Sequence, residues 1–585
     1  MNKSRAYWRG PAYSHWGKLL VDAKRVPDFE IVVGFVAPIG TDLDALLARL
    51  QDELRVYDYQ TETIRLSQLL DVDRAATESF GYYTARMDKG DELREGYKSG
   101  DALAAIAAAR MLDLRGKNTR ARRFAWLLRT LKHEDEVSLL RQTYGKRFVL
   151  VGVQQDAMTR LRNLSTQLRD ESQASSPGSS AGELMRRDEK DIENKFGQQG
   201  RDVYSQADYL IDMSEDMGSE VARLVGLLFG DPFLTPTRDE VAMHHAFGAS
   251  LRSSDPGRQV GAVITTSEGE IVSTGSNEVP KAGGGEYWAG DPVDGRDFSM
   301  GGDYNKKQTR RTLNELISAL NKGGFLSSEL SDKSADARLR AIMESESADL
   351  KQTRMMSLIE FGRIVHAEMS ALMQAARIGI SVKGATLYTT AFPCHMCMRL
   401  IVASGILRIV YVDPYPKSLA LEMYTDSVTP ERGANPGLVS IQPFCGASWS
   451  LYPLVFADPG RKRTPAGNFE PFVKASARMR LGGPEPLANA AALEAQIPIA
   501  LSEAGSGSGN QSEAGTKVIS RVEDISWFAT VLAAAKVTLQ ETTPESRPSW
   551  FREFEAGEGA EPSSERIIGM SAAVTAQAVP SSGAL

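Results

Sequence analysis

The sequence predicts an α/β protein with two principal domains, on three observations. Phe29 to Val36 is a short β-rich apolar run, followed by Pro38 and Gly40 and then by helically spaced leucines from Leu43 to Val56. Between Gln259 and Val412 the pattern runs hairpin, helix, strand, helix, strand, which builds a central sheet covered by helices. The two helices of that second pattern carry His366 with Glu368 and Cys394 with Cys397, a set of groups suited to one metal ion.

Bulk properties bound the answer. A chain of 585 residues exceeds one ordinary domain, and at ~100–200 residues per domain it accommodates three or four units. With 42% apolar and 24% charged residues and a net charge of −7, it has neither the basic coat of a polynucleotide binder nor that of an anionic-membrane binder. Three cysteines exclude a disulfide scaffold, and two of them form C-x-x-C. Met1 to Val26 lacks an apolar targeting core and no run reaches the ~20 apolar residues of a span, so a cytoplasmic protein without membrane partners is expected.

In the N-terminal half, strand, glycine turn and helix make the geometry of a phosphate-binding loop, with Gly34, Gly40 and Thr41 as its candidate residues. Laid on G-x-x-x-x-G-K-[ST], however, the stretch places Ala37, Asp42, Leu43 and Asp44 at the signature positions. The lysine and the magnesium-binding hydroxyl are missing, and two aspartates would repel a triphosphate. The reading is a degenerate, non-catalytic loop. Ala102 to Leu131 reads as a helical region that includes Phe124 to Leu128, and Arg147 to Val153 as a second buried strand. Arg187-Asp188-Glu189 resembles the lid segment of small nucleotide kinases, and Ala207 to Asp212 a late strand of that fold. Together these predict a P-loop kinase-like α/β domain over residues 28–230, after an N-terminal extension at 1–27.

In the second half, Arg238 to Leu251 reads as a helix. Its His244 and His245 are neighbours pointing about 100° apart, a poor basis for a shared metal. A hairpin follows from Gln259 to Gly275, with Asn277 at its mouth; taken alone, Asn277 is a turn-capping residue. An insertion spans about 282–358, helical over Thr309 to Leu320 and Asp336 to Ser357. His366 opens the next helix. Cys394 and Cys397, three apart at a helix start, share one face, where the helix dipole favours thiolates. Three protein ligands with a fourth position open is the pattern of catalytic zinc, which lowers the pKa of a water to ~7. Glu368 is left free as acid and base, while His395 points off the ligand face. H-x-E with P-C-x-x-C is the signature of zinc-dependent nucleobase deaminases.

From Arg238 to about Phe456 the chain resembles the deoxycytidylate deaminases, through Gln259 to Ile264, Gly275 to Pro280, His366-Ala367-Glu368 and Pro393 to Cys397. The resemblance implies a cytidine-deaminase-like α/β/α domain over 231–480, Zn2+ on His366, Cys394 and Cys397, and Glu368 as catalytic acid and base. It also implies substrate contacts from Asn277, which in that family holds the deoxyribose, and from Ala367. With the degenerate loop, Arg187-Asp188-Glu189 and Asp413 to Ser418, the chain is similar to anti-phage dCTP deaminases of bacterial defence systems, over roughly 28–456. That similarity implies deamination of dCTP, and of dCMP as a second substrate, in a homo-oligomer held silent by an inhibitory RNA or a nucleotide regulator. The alternatives are a single-stranded DNA or RNA cytidine deaminase, a housekeeping dCMP deaminase, and a non-catalytic nucleotide sensor with structural zinc. Cys445 reads as a core residue. Residues 481–585 read as a linker and a largely disordered tail, with one or two helices at Ile519 to Leu539.

Overall fold

The computed structural model describes residues 30–70, 79–117, 123–168, 179–189, 197, 199–214, 216–344, 353–358, 360–415, 418–430, 437–457, 460 and 463–481. The expectations for the N-terminal extension, for most of the tail and for Ile519 to Leu539 lie outside these residues. Two compact units are present: Met1–Ala107 with Arg120–Gly483, and Ala108–Thr119 with Pro484–Leu585. Of the second, only residues 108–117 are described. The first is mixed α/β, with two sheets that are each mostly parallel.

The first sheet contains β1 (Glu30–Val36), β2 (Gln60–Arg65), β3 (Phe124–Arg129), β4 (Phe148–Gln154) and β5 (Tyr209–Asp212). Their order is β5-β4-β1-β3-β2, all parallel, so β1 lies at the centre and pairs with β3 on one side and β4 on the other. A strand covered on both faces needs a continuous apolar run, and six of the seven β1 residues are buried. With this sheet belong α1 (Leu43–Val56), α2 (Phe80–Tyr97), α4 (Glu134–Tyr144), α5 (Ala157–Gln167), α6 (Ser180–Glu189), α7 (Gly200–Tyr204) and α8 (Met217–Leu228), while α3 (Ala102–Lys117) begins in the first unit and ends in the second. Leu43, Leu46, Leu47, Leu50 and Leu54 all face the core, as their spacing predicted.

One expectation here is corrected. Phe124 to Leu128, assigned to a helical region, is the strand β3, paired in register from Glu30 opposite Phe124 to Phe35 opposite Arg129. A five-residue apolar run has no periodicity that separates a strand from a buried helix; parallel partners on both sides, β1 and β2, decide it. Gly34 lies inside β1, as the strand reading of Phe29 to Val36 expected, and before the turn that holds Gly40 and Thr41. A side chain there would stand 2.8 Å from Leu131 and Phe148, so its glycine serves packing within the sheet.

The second sheet has the order β10-β11-β9-β8-β6-β7, formed by β6 (Gly261–Thr265), β7 (Ile271–Ser276), β8 (Thr386–Ala391), β9 (Arg408–Asp413), β10 (Val428–Thr429) and β11 (Val439–Pro443). The β6–β7 hairpin is antiparallel, and the strands from β8 to β10 are parallel. α9 (Arg238–Ser250) lies against β6 and β8. The inserted segment forms α10 (Tyr304–Lys322), α11 (Ser328–Ser331) and α12 (Ala335–Glu344), which bury Leu313, Ile317 and Leu339 among themselves. The expected continuation of α12 lies outside the described residues up to 352, and a 3-10 turn covers Arg354–Ser357. α13 (Ala367–Ile378) and α14 (His395–Ser404) follow, then α15 (Ala420–Met423). Ala371, Leu372, Met398 and Ile401 seat α13 and α14 on Ile264, Leu387 and Ile409.

After β11 the chain crosses back. β12 (Gly446–Ala447) adds antiparallel to β5 at the edge of the first sheet, and α16 (Tyr452–Phe456) follows. Ala447, Leu451, Val455, Met479 and Leu481 enter the core of the first sheet, so the chain returns to it after the second. Glu240, fully buried, serves both crossings between the sheets: its carboxylate accepts from Thr237 N at 2.7 Å on the way in and from Ala447 N at 3.0 Å on the way back. Arg223 of α8 neutralises it. Among the described residues, no helix is long and apolar enough to cross a membrane.

Candidate metal centre and active site

The site forms where two helix starts meet over the sheet. His366 is the N-cap of α13 and Cys394 the N-cap of α14. His366 Nδ1 lies 3.3 Å from Cys394 Sγ and 3.4 Å from Cys397 Sγ, and the three donor atoms fall within 4.8 Å of one another. Tetrahedral zinc with bonds of ~2.0 Å to nitrogen and ~2.3 Å to sulfur separates such donors by roughly 3.5 Å. The arrangement therefore fits zinc in both spacing and donor type. Among the described residues this trio is the cluster of His, Cys, Asp and Glu side chains with metal-binding spacing. His395, as read, is outside it.

Two glycines set the helix positions. The Cβ of a residue at 275 would lie 2.2 Å from the Ala367 carbonyl oxygen, so α13 rests directly on the β7 backbone. At 261 it would lie 1.9 Å from Ala246 O, so α9 rests on β6 in the same way. The loop before α14 is tied by Phe392 N donating to Asp413 O at 2.8 Å and Ser418 Oγ donating to Pro393 O at 2.8 Å.

Cys394, His366 and Cys397 lie close enough to shift one another's proton affinities. The Cys394 thiol falls to about 4, through the hydrogen bond from Cys397, with a second from His366, against the cost of burial. His366 rises to about 9, chiefly through its bond to Cys394. Cys397 is pushed well above the ordinary thiol range by its bond to Cys394 and by burial. Glu368 is 4% exposed, on the first turn of α13, and burial raises its carboxyl. A carboxyl that holds a proton more readily than usual, beside three metal donors, is equipped to take and return one.

Asn277 is buried and fully engaged. Its Oδ1 accepts from Val260 N at 2.7 Å, and its Nδ2 donates to Arg258 O at 2.7 Å and to Asp255 Oδ2 at 3.2 Å. It thereby holds the 255–260 loop against the hairpin mouth. Ala367 is fully buried, its methyl in the apolar core. Arg258 pairs with Asp413 at the rim. His244 stacks on Tyr452 with ring centroids 4.3 Å apart and is not among the metal trio, and Cys445 is half-buried.

Sequence reasoning missed a second layer. Glu278 accepts from Ser254 N and Oγ at 3.1 and 2.6 Å, and Val365 N donates to Glu278 O at 3.0 Å just before His366. Glu286 joins Ser370 of α13 to Arg252, whose guanidinium lies 3.7 Å over the Trp288 ring. Glu278 lies inside the Gly275 to Pro280 motif and could have been singled out. Glu286, in an irregular segment, had no spacing to mark it.

Comparison with known proteins agrees with this geometry. Residues 236–413 match the family model "Cytidine and deoxycytidylate deaminase zinc-binding region". The deoxycytidylate deaminase of Enterobacteria phage T2 is 46% identical over 54 residues, 9% of this chain and 29% of the phage protein. The orangutan (Pongo abelii) deoxycytidylate deaminase is 27% identical over 180 residues, 31% of this chain and 67% of its own. The chain thus spans less than a third of the phage relative's length. A crystal structure of the cyanophage S-TIM5 dCMP deaminase with dCMP and dUMP aligns at 17% identity, covering 36% of this chain and 99% of that one. Its TM-score of 0.20 marks a superposition too loose to bear on function. The region that matches the zinc-binding region of cytidine and deoxycytidylate deaminases, residues 236–413, contains the His366, Cys394 and Cys397 trio.

Proposed function

We propose that the protein is a zinc-dependent deaminase of deoxycytidine nucleotides, acting on dCTP, with dCMP as a second substrate. The observation that carries this reading is the buried Glu368 carboxyl beside the His366, Cys394 and Cys397 donors. His366, Cys394 and Cys397 would hold the zinc, which would supply an acidified water as nucleophile for C4 of the cytosine ring. Glu368 takes the water's proton, delivers it to ring N3, and carries a second proton to the departing amine. Cytosine and water become uracil and ammonia. Asn277, which holds the 255–260 loop, borders the deoxyribose, and Ala367, between His366 and Glu368, borders the base.

The net charge of −7 favours a free nucleotide over a polynucleotide. The degenerate kinase-like domain favours a controlled enzyme that depletes dCTP during phage infection, as a cytoplasmic homo-oligomer under an RNA or nucleotide regulator, over a housekeeping dCMP deaminase. The test is to incubate the purified protein with dCTP, dCMP and single-stranded DNA while following ammonia and uracil. Turnover of dCTP that Glu368→Ala abolishes is expected. Turnover of dCMP alone supports the housekeeping enzyme, and turnover of DNA alone supports the polynucleotide enzyme.

A further inference from the structure

The turn after β1 is filled by a carboxylate from elsewhere in the chain. Asp188, on the last turn of α6 and 2% exposed, accepts from Ile39 N through Oδ2 at 2.8 Å and from Lys132 Nζ through Oδ1 at 2.6 Å. Lys132 Nζ also donates to Ala37 O at 2.9 Å. A backbone N–H and an ammonium converging on one anionic group is the donor set that binds a phosphoryl oxygen.

A second cation, from the helix packed on this turn, pairs with the next residue of α6. Arg160 of α5 is 7% exposed; its Nη2 lies 3.5 Å from Glu189 Oε1 and its Nε donates to Gln155 O at 3.1 Å. Its Nη1 is buried with no hydrogen-bond partner among the described residues. α5 is fastened to the turn: Asn163 Nδ2 donates to Gly40 O at 3.0 Å, and a Cβ at Gly40 would lie 2.5 Å from Arg160 O. An internal ion pair alone accounts for Asp188 and Lys132. It does not account for an unspent guanidinium N–H, whose burial is unfavourable until an acceptor reaches it.

The acidity of the turn is no obstacle. Asp44 is held by Arg65 and Arg129, and Asp42 is spent capping Ala45 of α1.

We propose that Ile39 N–H, Lys132 and Arg160 form a binding site for the phosphoryl groups of a nucleoside triphosphate or a free polyphosphate, and that Asp188 and Glu189 occupy it until that ligand displaces them. The site is non-catalytic, consistent with the absent signature lysine and hydroxyl. Its ligand competes with the α6 carboxylates, so its apparent affinity is the intrinsic affinity multiplied by the open fraction.

The test is calorimetric titration of the as-purified full-length protein with inorganic tripolyphosphate and with ATP. Neither carries a cytosine, so the result stands apart from the deaminase reading. Asp188→Asn replaces a charged competitor by a neutral one and should tighten tripolyphosphate binding by about tenfold or more. Adding Lys132→Ala should remove that gain. A folded Asp188→Asn protein with no gain overturns the proposal. If Asp188→Asn does not fold, hydrogen exchange of residues 180–189 in the wild type decides: faster exchange with millimolar tripolyphosphate supports displacement, and unchanged exchange refutes it. ATP binding more tightly than tripolyphosphate identifies a nucleotide as the ligand, and equal or weaker binding identifies the free polyphosphate.

Discussion

Gly275→Ala tests whether the active site is positioned by backbone contact. The new methyl would stand 2.2 Å from Ala367 O and 2.4 Å from Ala371 N, where Cβ atoms keep at least 3.0 Å. α13 must retreat by at least about 0.8 Å, taking His366 and Glu368 with it. Overpacking of this kind costs ~1–3 kcal/mol, which lowers Tm by roughly 2–10 °C for a domain of this size. A displacement near 1 Å at a reacting group costs about 100-fold in rate. The assay is dCTP turnover together with zinc content and Tm. Gly261→Ala is the control: its methyl meets Ala246 O at 1.9 Å and displaces α9, which carries no metal donor. It should lower Tm comparably while leaving zinc content closer to wild type. Wild-type turnover, zinc content and Tm in Gly275→Ala would refute the reasoning.

Three further outcomes are expected. Glu368→Gln should retain zinc, measured by elemental analysis, and lose about 100- to 10,000-fold in kcat. Cys397→Ser should lower bound zinc and turnover together, because a neutral hydroxyl replaces a thiolate donor. Asp239 receives bonds from Arg408 at 2.6 and 2.8 Å and from Tyr388 at 2.7 Å; burial would raise its carboxyl, but these partners outweigh burial and hold it below the ordinary value. Its contribution is therefore complete above the unfolded carboxylate pKa of ~3.9 and is lost as pH falls through that value towards the folded one. Asp239→Asn should cost ~1–3 kcal/mol at neutral pH and flatten the acid limb of a Tm-against-pH curve.

The metal trio was legible because each donor belongs to a short local motif whose spacing is dictated by helix geometry. His366 with Glu368, and Cys394 with Cys397, need no knowledge of the remainder of the chain. The strands β1, β4, β8 and β9 were legible as short β-rich runs. Phe124–Arg129 was not, because its state depends on two strands distant in sequence. The return of the chain to the first sheet begins with a two-residue strand, Gly446–Ala447, too short to leave a pattern. The engagement of Asp188 with Ile39 spans 149 positions, and no local rule connects them. Gly34 shows the converse: the glycine was noticed, and only the packing of Leu131 and Phe148 around it reveals its role.

The single carboxylate of Glu240, bonded to Thr237 N and to Ala447 N, has a mechanical consequence. A sheet reached by one covalent tether can swing; one reached by two passes of the chain, pinned to the same buried group, cannot turn freely about either. The joint between the sheets is then a clevis and not a hinge. A displacement of the first sheet reaches the second as a push through packed side chains, such as Gln154 against the Tyr411 hydroxyl at 3.4 Å, and not as a swing of one body away from the other. Removing the chain beyond Asp413 to isolate the deaminase region would draw out one pin and strip Leu451, Val455, Met479 and Leu481 from the first sheet's core.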